Sequence, residues 1–287
     1  MASNPAFNRI EQDARSGYAG FQDRGSPQQA AGGFAAQSAA TDSMTAQQLQ
    51  ELYSQPSAGP VQMARVTMDD VIMKTLALFA IVLVTGTAGW LVADANPGLG
   101  GLLWIGGMIG TLVLGLVIAF RKTLSVPLIV AYAAVEGLFV GAVSQFFNSV
   151  PGWEGVVPQA VLATLATFVG MFIAYKTGLI KVTEKFRRIM TMAIFGYVIF
   201  ALVNFVFAMV TNTTFGIGGS GGLGIAISLF AVGLASFSLA LDFDMIDRAI
   251  ESGAPQKYSW LLAHGLIVTL VWLYIEFLRL FARMRGE

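Results

Sequence analysis

Four carboxylates occupy positions where a carboxylate is expensive. Glu136 lies about midway along an apolar stretch, Asp242 and Asp244 fall near the end of another, and Glu276 sits in the last one with Arg279 one turn later. Acidic side chains at membrane depth cost about 3 kcal/mol or more, and by default they mark an ion or proton path. Asp242 and Asp244 are two apart, which turns them about 200° from each other on a helix. One is expected to face the bundle, and the other water or a lysine. Two readings of Asp242 and Glu276 stand side by side. As a pair, their repulsion and burial would make a proton-sensitive cation site. Taken separately, Glu276 is neutralised by Arg279 and Asp242 by interfacial water. Glu136, followed by Gly137 and Gly141, is a candidate lining of the same cavity, with Asn204 and His264 as weaker candidates.

Other chemistries fall away. The chain has no Cys and one His, so thiolate and His-pair zinc sites are excluded. Gly216, Gly218 and Gly221 fit the spacing of a dinucleotide-binding loop, but they follow an apolar helix instead of a strand. Ser220 with His264 imitates an intramembrane serine protease, yet the two are expected at opposite faces. A retinal Schiff base needs a lysine within the last helix, whereas Lys257 precedes it and none follows. No enzyme is expected. With 17 basic and 17 acidic residues the net charge is zero, which gives no excess with which to bind nucleic acid.

The elements that must carry these groups are membrane helices. Of 287 residues 55% are hydrophobic and 12% charged, and the mean hydropathy is +0.68. Soluble domains carry about 25% charged residues, so this composition excludes one. Residues 1–64, rich in Ala, Ser, Gln, Gly and Pro, are expected to form a disordered cytoplasmic tail, with one short helix near Thr45–Ser54. Residues 65–287 then divide into apolar segments of the length that a ~30 Å hydrocarbon core demands. They fall near 71–93, 99–120, 125–147, 157–176, 189–211, 221–245 and 259–283. The separators are turn sequences such as Asn96-Pro97-Gly98 and Pro151-Gly152. Gly106, Gly107, Gly110 and Gly115 predict close approach of a neighbour to the second helix.

Basic residues set the expected orientation. Arg65, Lys74, Arg121, Lys122, Lys176, Lys181, Lys185, Arg187, Arg188, Arg248 and Lys257 all fall on the side of the tail, and the loops of the other side contain no Lys or Arg. The tail side is therefore expected to be cytoplasmic. Arg279, Arg283 and Arg285 at the far end of a seventh crossing break this pattern.

The run Leu241-Asp242-Phe243-Asp244-Met245-Ile246-Asp247 resembles the end of the sixth helix in the Bax-inhibitor family of membrane proteins. Trp272-Leu273-Tyr274-Ile275-Glu276-Phe277-Leu278-Arg279-Leu280-Phe281 is similar to that family's closing pattern, Leu-Tyr-Leu-Asp and an apolar stretch. The resemblance spans about residues 65–287 and rests on order and spacing within the seven-helix frame. It implies an all-α membrane protein with six helices surrounding a central C-terminal helix. It also implies a pH-sensitive calcium leak governed by two carboxylates, here Asp242 and Glu276, which would also be the metal-contacting groups. An arginine that engages the pair corresponds to Arg121. No permanent cofactor is implied, Ca2+ being the ion transported, which suits hard carboxylate oxygens. The implied setting is a bacterial inner membrane, and the implied partners are the bilayer and a membrane-bound AAA-type protease.

Two departures bear on the pair. Glu replaces Asp on the last helix, and 34 positions separate Asp242 from Glu276, roughly ten more than the family pattern. With the turn at Gly253–Gln256, the two are offset by roughly 13 Å along the bundle at 1.5 Å per residue. Pairing then requires a break in helix 7 near Gly265 or an interfacial stretch across Tyr258–His264; otherwise Glu276 is expected to look toward Glu136. The leading expectation is a cation leak in which the protonated or hydrogen-bonded pair holds the cytoplasmic end closed. The alternative is a non-conducting regulator that binds a membrane protease or another integral partner.

Overall fold

A computed structural model describes residues 64–286. The expected tail, with its short helix near Thr45–Ser54, lies outside the described residues up to position 63. Seven helices are long and apolar enough to cross a membrane. They are α1 (Met68–Ala95), α2 (Pro97–Phe120), α3 (Val126–Ser149), α4 (Val156–Lys176), α5 (Glu184–Thr211), α6 (Gly222–Glu251) and α7 (Ser259–Arg285). The chain is thus a multi-pass membrane protein.

Polar residues at the helix ends start and stop these spans. The Thr67 hydroxyl accepts from the Asp70 N–H at 3.2 Å to open α1, and Thr183 does the same for Phe186 at the start of α5. Asn96 caps α2 through the N–H groups of Gly98 and Leu99, with Pro97 in the first turn where its missing donor costs nothing. Residues 64–66 pair antiparallel with the α6–α7 turn, Val66 N–H on the Ala254 carbonyl and Gln256 N–H on that of Ala64. That pairing fixes the start of α1 beside the start of α7.

α7 is the central helix. In its most apolar stretch 67% of the residues are buried, against 6% for α2 and α5. Helices α1, α3, α4 and α6 pack directly on it, while α2 leans on α3 and α1, and α5 on α6. Leu112, Val113 and Leu116 of α2 and Ile199, Leu202 and Val206 of α5 are exposed, as lipid-facing side chains are.

The tightest seam runs between α1 and α3. A Cβ at Gly89 would lie 2.5 Å from the Leu138 carbonyl, and one at Gly141 would strike the Gly86 backbone. Of the stripe expected on α2, Gly107, Gly110 and Gly115 face Phe139, Val135 and Tyr132 of α3, whereas nothing approaches Gly106.

Two sequence expectations are corrected. α6 continues to Glu251 instead of ending near 245, so Asp242 lies nine residues inside it, about 14 Å from its end. α7 has no break at Gly265; a short 3-10 turn over Gln256–Tyr258 leads into an unbroken helix.

One end of the bundle, hereafter the basic end, carries the start of α1 and the α2–α3, α4–α5 and α6–α7 connections with their basic residues. At the opposite end Arg283 is buried against the α5–α6 loop. Its guanidinium donates to the carbonyls of Gly224 and Phe215 and to the Ser228 hydroxyl, and it lies 5.3 Å from the Phe215 ring. Arg285 reaches the Glu154 carbonyl in the α3–α4 loop. Two of the three arginines that break the charge pattern are thus held on backbone carbonyls at the far end, and the third, Arg279, pairs with Glu276.

Candidate functional site

α7 presents two polar faces to its neighbours. Thr269, Trp272, Glu276, Arg279 and Arg283 recur at intervals of three and four, which aligns them in one stripe. Ser259 and His264 point elsewhere, toward α1 and α3.

Glu276 lies in the first stripe and is 2% exposed. Three donors converge on its Oε1: the Tyr197 hydroxyl of α5 at 2.6 Å, the Trp272 indole at 3.1 Å and Arg279 at 3.2 Å. The Tyr197 and Trp272 rings stack with centroids 5.7 Å apart, so packing fixes two of these donors. One charged and two neutral donors thus hold this oxygen in place. The arginine beside Glu276 is Arg279, as the separate-neutralisation reading has it. Arg121 is exposed at the end of α2, in a small depression shared with Lys122, Ser125 and Tyr258.

Asp242 lies two turns lower. The Thr269 hydroxyl faces its carboxyl, while its Oδ2 is enclosed with no hydrogen-bond partner. Thr269 and Glu276 are seven residues apart on an unbroken helix, about 10 Å of rise. The two carboxylates of the expected pair therefore have different neighbours at different depths. Asp244 turns the other way, as the two-residue spacing requires, but meets arginines: Arg187 at 2.6 Å and Arg248 at 2.8 Å.

Glu136 sits on the opposite side of α7, 4% exposed. Tyr132, one turn earlier on α3, donates to its Oε1 at 2.9 Å, and its Oε2 is enclosed without a partner. The Tyr132 ring packs edge-on against His264 at 4.4 Å. Higher up, Ser144 and Tyr274 share a hydrogen bond of 2.7 Å. Between these two contacts Glu136 comes level with the turn of α7 around Ile267 to Thr269, the depth of Asp242. That turn lies about ten residues, or 15 Å, from the start of α7, halfway across a ~30 Å core. Glu276 does not look toward Glu136: it lies on another face and higher along the helix.

Two half-satisfied carboxyls therefore flank the central helix at mid-depth, and a third, with three donors on one oxygen, lies above them. Among the described residues, no three His, Asp or Glu side chains come together to hold a metal ion. Such carboxyls can bind and release protons or accept a passing cation, since an ionised oxygen with no donor in a low-dielectric interior needs a counter-charge.

The remaining candidates have structural work. Asn204 bonds the Phe215 carbonyl and accepts from the Ile217 N–H at 2.6 Å, holding the glycine-rich loop to α5. Ser220 lies beside Gly286, so it is 22 residues along α7 from His264, on the order of 30 Å. That distance excludes the pair as nucleophile and base. Sequence reasoning missed Tyr132, Tyr197, Thr269 and Trp272. The three-four spacing on α7 was the available signal for the last two.

The sequence profile of the Bax inhibitor 1 like family matches residues 4–286. No curated protein matches the chain.

Proposed function

The chain belongs to the Bax inhibitor 1 like family, and from that premise we propose that it is a proton-responsive leak pathway for cations, calcium in particular, along the central helix. The observation that carries this reading is the pair of enclosed carboxyl oxygens without partners, on Glu136 and Asp242, at mid-depth on either side of α7. In a lipid environment such atoms are costly and persist where they serve an ion or a proton. Protonated, the two carboxyls are neutral and the seams around α7 stay closed. Ionised, they draw in water and a cation, and the population shifts toward a conducting arrangement. Flux therefore rises with pH. The neighbours of the two carboxyls are Tyr132 and His264 for Glu136 and Thr269 for Asp242.

Basic residues at the basic end support a cytoplasmic placement for that end in a bacterial inner membrane. Arg283 and Arg285 would then lie on the outer side.

The test is calcium entry into liposomes containing the full chain, followed across pH. Asp242→Asn and Glu136→Gln are expected to flatten the pH response. Unchanged flux with unchanged pH dependence in both variants would remove this function.

A further inference from the structure

The wall of the bundle has a gap at its basic end. α1 and α4 both lie against α7 but barely touch each other. Between them runs a groove of about 350 Å³. Its walls are α1 from Met68 to Phe79 and α4 from Leu165 to Lys176. Its floor is Phe243 and Ile246 of α6 with Leu266 and Leu270 of α7. Each wall covers eleven residues of rise, about 16 Å. That is half of a ~30 Å hydrocarbon core, the depth of one leaflet.

Polarity is confined to one end of this groove. Thr75 on its wall spends its hydroxyl on the Val71 carbonyl at 2.8 Å. Lys176 and Asp247 sit together at the basic end, the ammonium 3.1 Å from both carboxylate oxygens, with the Tyr175 hydroxyl also donating to Asp247. The Lys176 side chain is 41% exposed at this mouth. Across the mouth, Asp70 is already engaged by Lys74 and Gln256.

We infer that this groove holds one acyl chain of a phospholipid from the leaflet at the basic end, with the lipid phosphate on Lys176. An apolar cleft one leaflet deep matches the tail, and the Lys176 ammonium, with two of its three donors on Asp247, keeps one for a phosphate oxygen at the interfacial mouth. A seated tail would pack on Phe243, next to Asp242, and on Leu266 and Leu270, which bracket Thr269. It would brace the turn that faces Asp242. The inference does not depend on conduction.

The test uses the full chain in vesicles of phosphatidylcholine and phosphatidylglycerol, with a small share of the phosphatidylglycerol carrying a diazirine midway along one tail. After irradiation the labelled residues are mapped by mass spectrometry. Label is expected to concentrate on Phe79, Leu165 and Phe168 above the level on Leu112 of α2 and Val203 of α5. Leu76→Trp, which fills the groove from its exposed rim, is expected to remove the groove label and keep the other. Label spread evenly over all five positions would mean passing bulk lipid and would overturn the site, a result the unmodified chain alone decides. Lys176→Gln is expected to lower phosphatidylglycerol retention through detergent exchange about fivefold, the effect of one interfacial cation. Unchanged retention would overturn the phosphate contact.

Discussion

Arg283→Met tests whether the last turn of α7 holds the far-end loop. Arg283 is 3% exposed, and its donors serve the Phe215 and Gly224 carbonyls and the Ser228 hydroxyl. Methionine fills similar volume but leaves three acceptors without donors, each costing about 1–3 kcal/mol. Part of that loss is offset because a buried guanidinium, here with an unpartnered Nε, no longer needs desolvation. The net destabilisation is about 3 kcal/mol. For a chain of this size that lowers the melting temperature by roughly 6–12 °C. Tryptophan emission during heating in detergent micelles is the assay, and Trp153 gives a local signal because its ring lies 5.3 Å from that of Phe215. Arg283→Lys keeps the charge but lacks the planar fork, so it is expected to fall between the two. A melting curve for Arg283→Met within about 1 °C of the parent, below what one lost buried hydrogen bond produces, would refute the reasoning.

Further outcomes follow from the same contacts. Gly89→Val is expected to abolish folded yield, because the added Cβ meets the Leu138 carbonyl; Gly170→Ala, with nothing within 4 Å, is expected to be tolerated, and size-exclusion profiles separate the two. Tyr197→Phe removes the 2.6 Å bond to Glu276 and is expected to cost about 1–2 kcal/mol, read from thermal melting. We further propose that a chain lacking residues 2–60 keeps its calcium flux in liposomes while losing capture of a membrane-bound AAA-type protease. Capture of the protease that survives the deletion would remove the tail as the docking segment.

The seven spans were legible because charges are scarce and gather at the connections. Where charges gather inside a span the reading slipped. Asp242, Asp244, Asp247 and Arg248 looked like the polar end of the sixth helix, yet Asp244 is neutralised by Arg187 and Arg248, and Asp247 by Lys176 and Tyr175. With those charges paired, the helix continues to Glu251. The offset between Asp242 and Glu276 was legible as residue count times helical rise. What filled the offset was not: Tyr132, Tyr197 and Thr269 are hydroxyls in apolar runs, and only packing decides which helix brings them to a carboxylate. Arg283 was visible as an anomaly of charge placement, and its resolution depends on carbonyls of a loop almost 70 residues earlier.

The central claim is that the carboxylates act at separate places along α7 instead of as one coupled pair. A double-mutant cycle on calcium flux at fixed pH tests it most directly, with Asp242→Asn, Glu276→Gln and both together in the same liposomes. Sites about 10 Å apart with no shared partner are expected to combine additively, within about 0.5 kcal/mol in the logarithm of the rate. With both single variants impaired, a double variant no more impaired than the worse of them would show a coupled pair and contradict this account.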